Sequence, residues 1–166
     1  IVELQSKNLM REVVEELDLN VCYVREGFLR DRELYNDSPV KVLVDNPGEI
    51  RDTSFHVLLD TANLVILMNL DGEKMWSGHY SESVPMGDYN LSIEPNRKVT
   101  SKEKIRVDLS SFRKTANSFS GNLNVQILVK NTNSVLVSLK DAVPARGIAV
   151  INALVKRYNQ NGIDNK

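Results

Sequence analysis

The sequence predicts an α+β fold, a mostly antiparallel sheet flanked by an N-terminal and a C-terminal helix. Apolar residues recur at helical spacing near the two ends and once more, briefly, before the last strands. Between those segments they alternate with polar residues at the period of a strand, and turn-forming sequences separate the alternating runs.

In the opening segment IVELQSKNLMREVVEELDL, Leu9, Val13 and Leu17 recur every four residues beside Met10 and Val14. Arg11, Glu12, Glu15 and Glu16 occupy the opposite face, as on a surface helix packed against a core. A short strand is expected at Val21 to Val24. The charged stretch REGFLRDRELYNDS has no clear period and reads as loop with some local structure, closed by Pro39. Val40, Val42 and Val44 alternate up to the turn-rich DNPGE at Asp45 to Glu49. Phe55, Val57 and Leu59 follow, and Asp60 to Asn63 join them to LVILMNL as a hairpin. Asp71-Gly72 supplies the next turn, before EKMWSGHY, and Tyr89 to Ile93 gives a further strand. A meander is the economical connection. Ile105, Val107 and Leu109 form another strand. Phe112, Ala116 and Phe119 then predict a short helix, with Ser110 or Ser111 as cap and Gly121 as stop. Val125, Ile127 and Val129 lead through an NTN turn into SVLVSL. Asp141 caps a final helix with Pro144 in its first turn, an apolar stripe at Ile148, Ile151, Leu154 or Val155 and Tyr158, and a stop at Gly162.

The 166 residues suit one domain spanning 1–166, and 42% hydrophobic with 26% charged residues is the balance of an ordinary folded chain. The first residue is Ile1 and the chain is amphipathic from the outset, so it reads as a piece of a longer protein. No apolar run approaches the roughly 20 residues of a spanning helix, and no secretory signal is present. Cys22 is the single cysteine, which excludes an internal disulfide; its VCYV setting suits a small buried hydrophobe.

Net charge is −1, but its distribution is uneven. Residues 1–96 carry eight Lys+Arg against eighteen Asp+Glu, and residues 97–166 carry thirteen against four. If those halves form different faces, one copy can set a basic face on a neighbour's acidic one, a heterologous contact that closes rings. If the segments interleave in space, the split cancels internally.

Catalytic patterns are absent from the sequence. His56 and His79 are the only histidines, and neither stands at metal-ligand spacing from a second His or Cys. No G-x-S-x-G elbow, G-x-x-x-x-G-K-[ST] loop or G-x-G-x-x-G occurs, so neither nucleophilic nor nucleotide chemistry is encoded and no cofactor is expected. The Asp residues fall mostly at turns. Trp76 and Tyr80 share a strand face and are the candidate pair for stacking on a sugar ring or meeting a partner, the alternative being that they pack into the core or an interface. Arg97, Lys98, Lys102, Lys104, Arg106, Arg113 and Lys114 form a basic cluster with too few aromatics for a nucleic-acid reader.

Four stretches carry a likeness: SKNLMREVVEELDLNVCYVREG, RELYNDSPVKV, VPMGDYNLSI and SVLVSLKDAVPARGIAVINALVKRYNQNGIDNK. In this order they resemble the chain-length determinant family (Wzz-type polysaccharide co-polymerases), and in particular the extracytoplasmic domain of the tyrosine autokinases of bacterial capsule and exopolysaccharide systems. The likeness covers essentially the whole chain and is sharpest in SPVKV and in D-x-x-P-x-R-G-x-x-x-x-N-x-L. It implies a base domain of that family, at the periplasmic face of the inner membrane, in a parent protein anchored by spans outside this chain. It also implies a ring of protomers that sets polysaccharide chain length and export together with the polymerase and the growing polymer. Asp141, Pro144, Arg146, Asn152 and Tyr158 would then serve packing and protomer contact. This chain would not itself be an enzyme: any protein-tyrosine kinase domain, with its Walker motifs and tyrosine-rich tail, would lie outside it. The alternatives are a chain-length regulator with no kinase domain and a carbohydrate-binding module using Trp76 and Tyr80.

Overall fold

The computed structural model describes residues 2–131 and 134–164; Thr132 and Asn133 of the expected NTN turn lie outside the described residues. The chain divides into two compact units, residues 1–19 with 112–166 and residues 20–111. In sequence, the second is an insertion into the first.

The first unit contains α1 (Lys7–Glu16), α2 (Phe112–Gly121), the hairpin β10 (Leu123–Ile127) and β11 (Val135–Leu139), and α3 (Pro144–Asp164). The Ser6 hydroxyl accepts the Leu9 N–H at 3.5 Å and caps α1, which buries Leu9, Met10, Val13 and Val14 as its spacing predicts. α1 packs against both α2 and α3, and α3 meets β11. The inward stripe of α3 keeps the expected Leu154 but not the expected Ile148. Val150 and Leu154 are fully buried with Ala153 beside them, whereas Ile148 is 61% exposed. Gly147 lies on the buried side, where an added Cβ would stand in ordinary contact, 3.4 Å, with the Asp141 side chain.

The inserted unit is built of strands, with two single-turn helices at Tyr35–Asp37 and Pro47–Glu49. It holds β1 (Val21–Arg25), β2 (Arg32–Glu33), β3 (Val40–Val44), β4 (Thr53–Leu59), β5 (Leu64–Met68), β6 (Lys74–His79), β7 (Val84–Pro85), β8 (Asn90–Pro95) and β9 (Glu103–Leu109). A six-stranded sheet runs β2-β1-β9-β4-β5-β6 and a three-stranded one β3-β8-β7, with every pairing antiparallel. The alternating residues of both sheets meet in one buried cluster that includes Val40, Val42, Phe55, Val57, Leu67, Leu91, Ile93, Ile105 and Val107. β3 is an edge strand, and its Val42 N–H is taken by the Tyr23 hydroxyl of β1 at 2.8 Å, a hydrogen bond that ties the two sheets together. Local turns are those the sequence supplies. Asp60 Oδ1 accepts the N–H groups of Ala62 and Leu64, both at 2.9 Å, and Gly72 takes φ +87° in the next turn.

This architecture corrects the expected fold class. The chain is α+β with antiparallel strands, but it is not one sheet flanked by terminal helices, and the base-domain arrangement inferred from the resemblance falls with that expectation. Nine of the eleven described strands form a unit without a helix longer than one turn, and the three α-helices pack on one another beside a two-stranded hairpin. The meander is interrupted too, because β9 inserts between β1 and β4, and β3 pairs with β8. Hydrophobic period identifies an element and its buried face; it does not identify the partner that covers that face.

Candidate functional site

The outward face of the six-stranded sheet gathers most of the unusual side chains of the inserted unit. On β4 and β9 the outward positions are Ser54, His56 and Leu58, paired across the ladder with Asp108, Arg106 and Lys104. The loop after β1 folds back over this face. Its Glu26 bonds His56 Nε2, and Arg106 Nη1 reaches Glu26 at 3.5 Å and Asp31 at 3.4 Å. Arg106 also holds Asp108 through Nε at 3.0 Å and Nη2 at 3.2 Å, so hydrogen bonding to Asp108 and the surrounding carboxylates raise the guanidinium pKa despite partial desolvation. Ser54 donates to Asp108 at 2.7 Å rather than to His56, so these residues do not form a nucleophile–base relay. The network pins a loop.

At the tip of that loop Phe28 and Leu29 are 101% and 91% exposed. Gly27 permits the tight bend, since a Cβ there would meet the Arg30 carbonyl at 2.3 Å. Two neighbouring large apolar side chains held fully in solvent by fixed ion pairs have the form of a docking element. Farther along the same face lies a groove of about 330 Å³ lined by Leu58, Leu64 and Ile66, with Asp60, Lys102 and Lys104 at its rim. No distance along the sequence signals this assembly; His56 and Glu26 are 30 residues apart, and Arg106 and Asp31 are 75 apart.

Trp76 and Tyr80 occupy the edge of the same unit but face inward. Both are half-buried against the core cluster. The Trp76 ring lies across Gly78, where a Cβ would meet its outer carbons at 2.5 Å. Burial, then the nearby charges of Asp60 and Glu103, raise the Tyr80 pKa.

In the first unit, Asp141 Oδ1 accepts the Val143 N–H at 2.9 Å, and both carboxylate oxygens take Arg146, at 2.6 and 2.9 Å. The Arg146 guanidinium stands 5.7 Å from the Phe119 ring centroid. Burial works against the Asp141 charge, but these hydrogen bonds outweigh it and hold the carboxyl below the usual carboxylate range. Arg157 of α3 binds Glu16 at 2.9 Å and Glu12 at 3.3 Å. Acidic N-terminal residues therefore meet basic C-terminal ones within each unit, as Glu26 meets Arg106 and Glu12 meets Arg157. These pairs interleave part of the charge split within each unit.

Among the described residues no group of three His, Cys, Asp or Glu side chains is placed to hold a metal, and no helix is long and apolar enough to cross a membrane. No family model and no curated protein matches the chain. The case for function therefore rests on the residues themselves.

Proposed function

We propose that this chain is an outer, self-associating part of a membrane-anchored regulator of surface-polysaccharide chain length and export, of the tyrosine-autokinase kind. In this reading it sits at the periplasmic face of the inner membrane and contacts its own copies, the polymerase or export machinery, and the growing polymer. Phosphoryl transfer belongs to a separate domain of the parent protein.

Two things support the reading. The first is the sequence likeness, whose SKNLMREVVEELDL and DAVPARGIAVINALVKRY stretches are α1 and the start of α3, packed together in one unit. The second, which carries the self-association, is the pinned loop with Phe28 and Leu29 in solvent, with an apolar groove farther along the same sheet face. Such a surface serves association rather than turnover.

The test is genetic and physical together. Cells carrying the full-length protein with Phe28→Asp and Leu29→Asp are expected to lose crosslinked oligomers and to show a shifted or broadened polysaccharide length distribution on gels. Loss of crosslinks with unchanged chain length would remove the polysaccharide role. Unchanged crosslinks would remove the loop from the association.

A further inference from the structure

A second surface, in the first unit, has the composition of a ligand site. A groove of about 370 Å³ runs between α1 and α2, lined by Lys7, Asn8, Arg11, Arg113, Ala116 and Asn117. Lys7 and Arg11 are four residues apart and lie on one face of α1; Arg113 and Asn117 do the same on α2, so two such pairs face each other. Three cations and two amides converge, and the lining contains no carboxylate. Arg11 spends one nitrogen on Glu15 at 3.4 Å, which leaves the rest of its fork available. Gathering like charges costs stability unless an anion offsets it. The floor is the small buried Ala116, which keeps the groove open.

We infer that the α1–α2 groove binds a phosphate group, presented either as a free anion or as an anionic lipid headgroup. Guanidinium forks match the tetrahedral oxyanion with paired N–H donors, Lys7 adds a point charge, and the Asn8 and Asn117 amides supply further neutral donors. The inference stands apart from the polysaccharide reading, since it needs only these side chains.

Titration of the 166-residue chain with inorganic phosphate, followed by amide NMR, is expected to perturb residues of the groove, with an affinity that falls as salt rises. Cosedimentation with vesicles of neutral phosphatidylcholine, with and without anionic phosphatidylglycerol, separates the two sources. Retention only on the anionic vesicles assigns a headgroup, and phosphate perturbation without retention assigns a free anion. Lys7→Glu with Arg113→Glu, both at exposed positions, is expected to weaken either response by about tenfold or more. Lys156→Glu, an exposed cation outside the groove, should leave it unchanged. Absence of both responses, or equal responses from the wild type and the Lys7→Glu/Arg113→Glu variant with its circular dichroism intact, would overturn the assignment.

Discussion

Replacing Arg146 with alanine should be among the most damaging single changes in the first unit, although the residue is charged and no catalytic part is assigned to it. The Asp141 side chain is only 3% exposed and that of Arg146 13%. Removing the guanidinium leaves a largely buried carboxylate with the backbone N–H groups of Val143 and Ala142 as its partners. Breaking a buried pair from one side costs about 3–5 kcal/mol, a large part of the roughly 5–15 kcal/mol that holds a domain folded. Thermal melts by far-UV circular dichroism should show a fall of more than about 10 °C, since each kcal/mol moves a small domain by roughly 4–8 °C. Changing both partners, Asp141→Asn with Arg146→Met, should recover much of the loss, because no charge is then stranded. The loss in Arg146→Ala should also depend on pH. Asp141 titrates lower in the folded chain than its ordinary 3.8, so its pairing stabilises fully above that value. The stabilisation disappears as pH falls through the lower folded value, and variant and wild type should converge there. A loss under about 1 kcal/mol at neutral pH, the range of an exposed pair, would refute this reasoning.

Other expectations follow from the same structure. Leu154→Ala should cost about 2–5 kcal/mol and Ile148→Ala less than about 0.5 kcal/mol by urea unfolding, and equal losses would put the inward stripe of α3 back where the sequence spacing first placed it. Tyr23→Phe leaves the Val42 N–H without its cross-sheet partner and should cost about 1–3 kcal/mol; an unchanged denaturation midpoint would deny the hydrogen bond a stabilising role. The inserted unit begins and ends at neighbouring points, with the Ser110 N–H bonded to the Asn20 carbonyl at 2.9 Å and Val21 paired with Leu109. A fragment of residues 20–111 should therefore unfold cooperatively by itself, and a featureless melt would show that it depends on the other unit. Gly78→Ala should push the Trp76 ring aside and shift the emission of this sole tryptophan, while Gly48→Ala, with open space around its Cβ, should not.

Much of the local structure follows from neighbouring residues, because period, caps and turns act over a few positions. Leu9, Met10, Val13 and Val14 define the buried face of α1; Asp60 and Gly72 define the turns around β5; Val40 and Val42 turn inward on β3 as their alternation requires. Tertiary structure decides what depends on partners far along the chain. It places β9 between β1 and β4, ties Tyr23 to the edge strand β3, and brings Glu26 and Asp31 over His56 and Arg106. It also turns Trp76 and Tyr80, legible as a strand-face pair, toward the core rather than outward. Period two says which side chains share a face, but only the opposing sheet says which face is dry. The sequence alone thus determined most elements and the buried faces of α1 and β3, while the grouping into an inserted strand-built unit and a helical one belongs to long-range pairing, which no local pattern encodes.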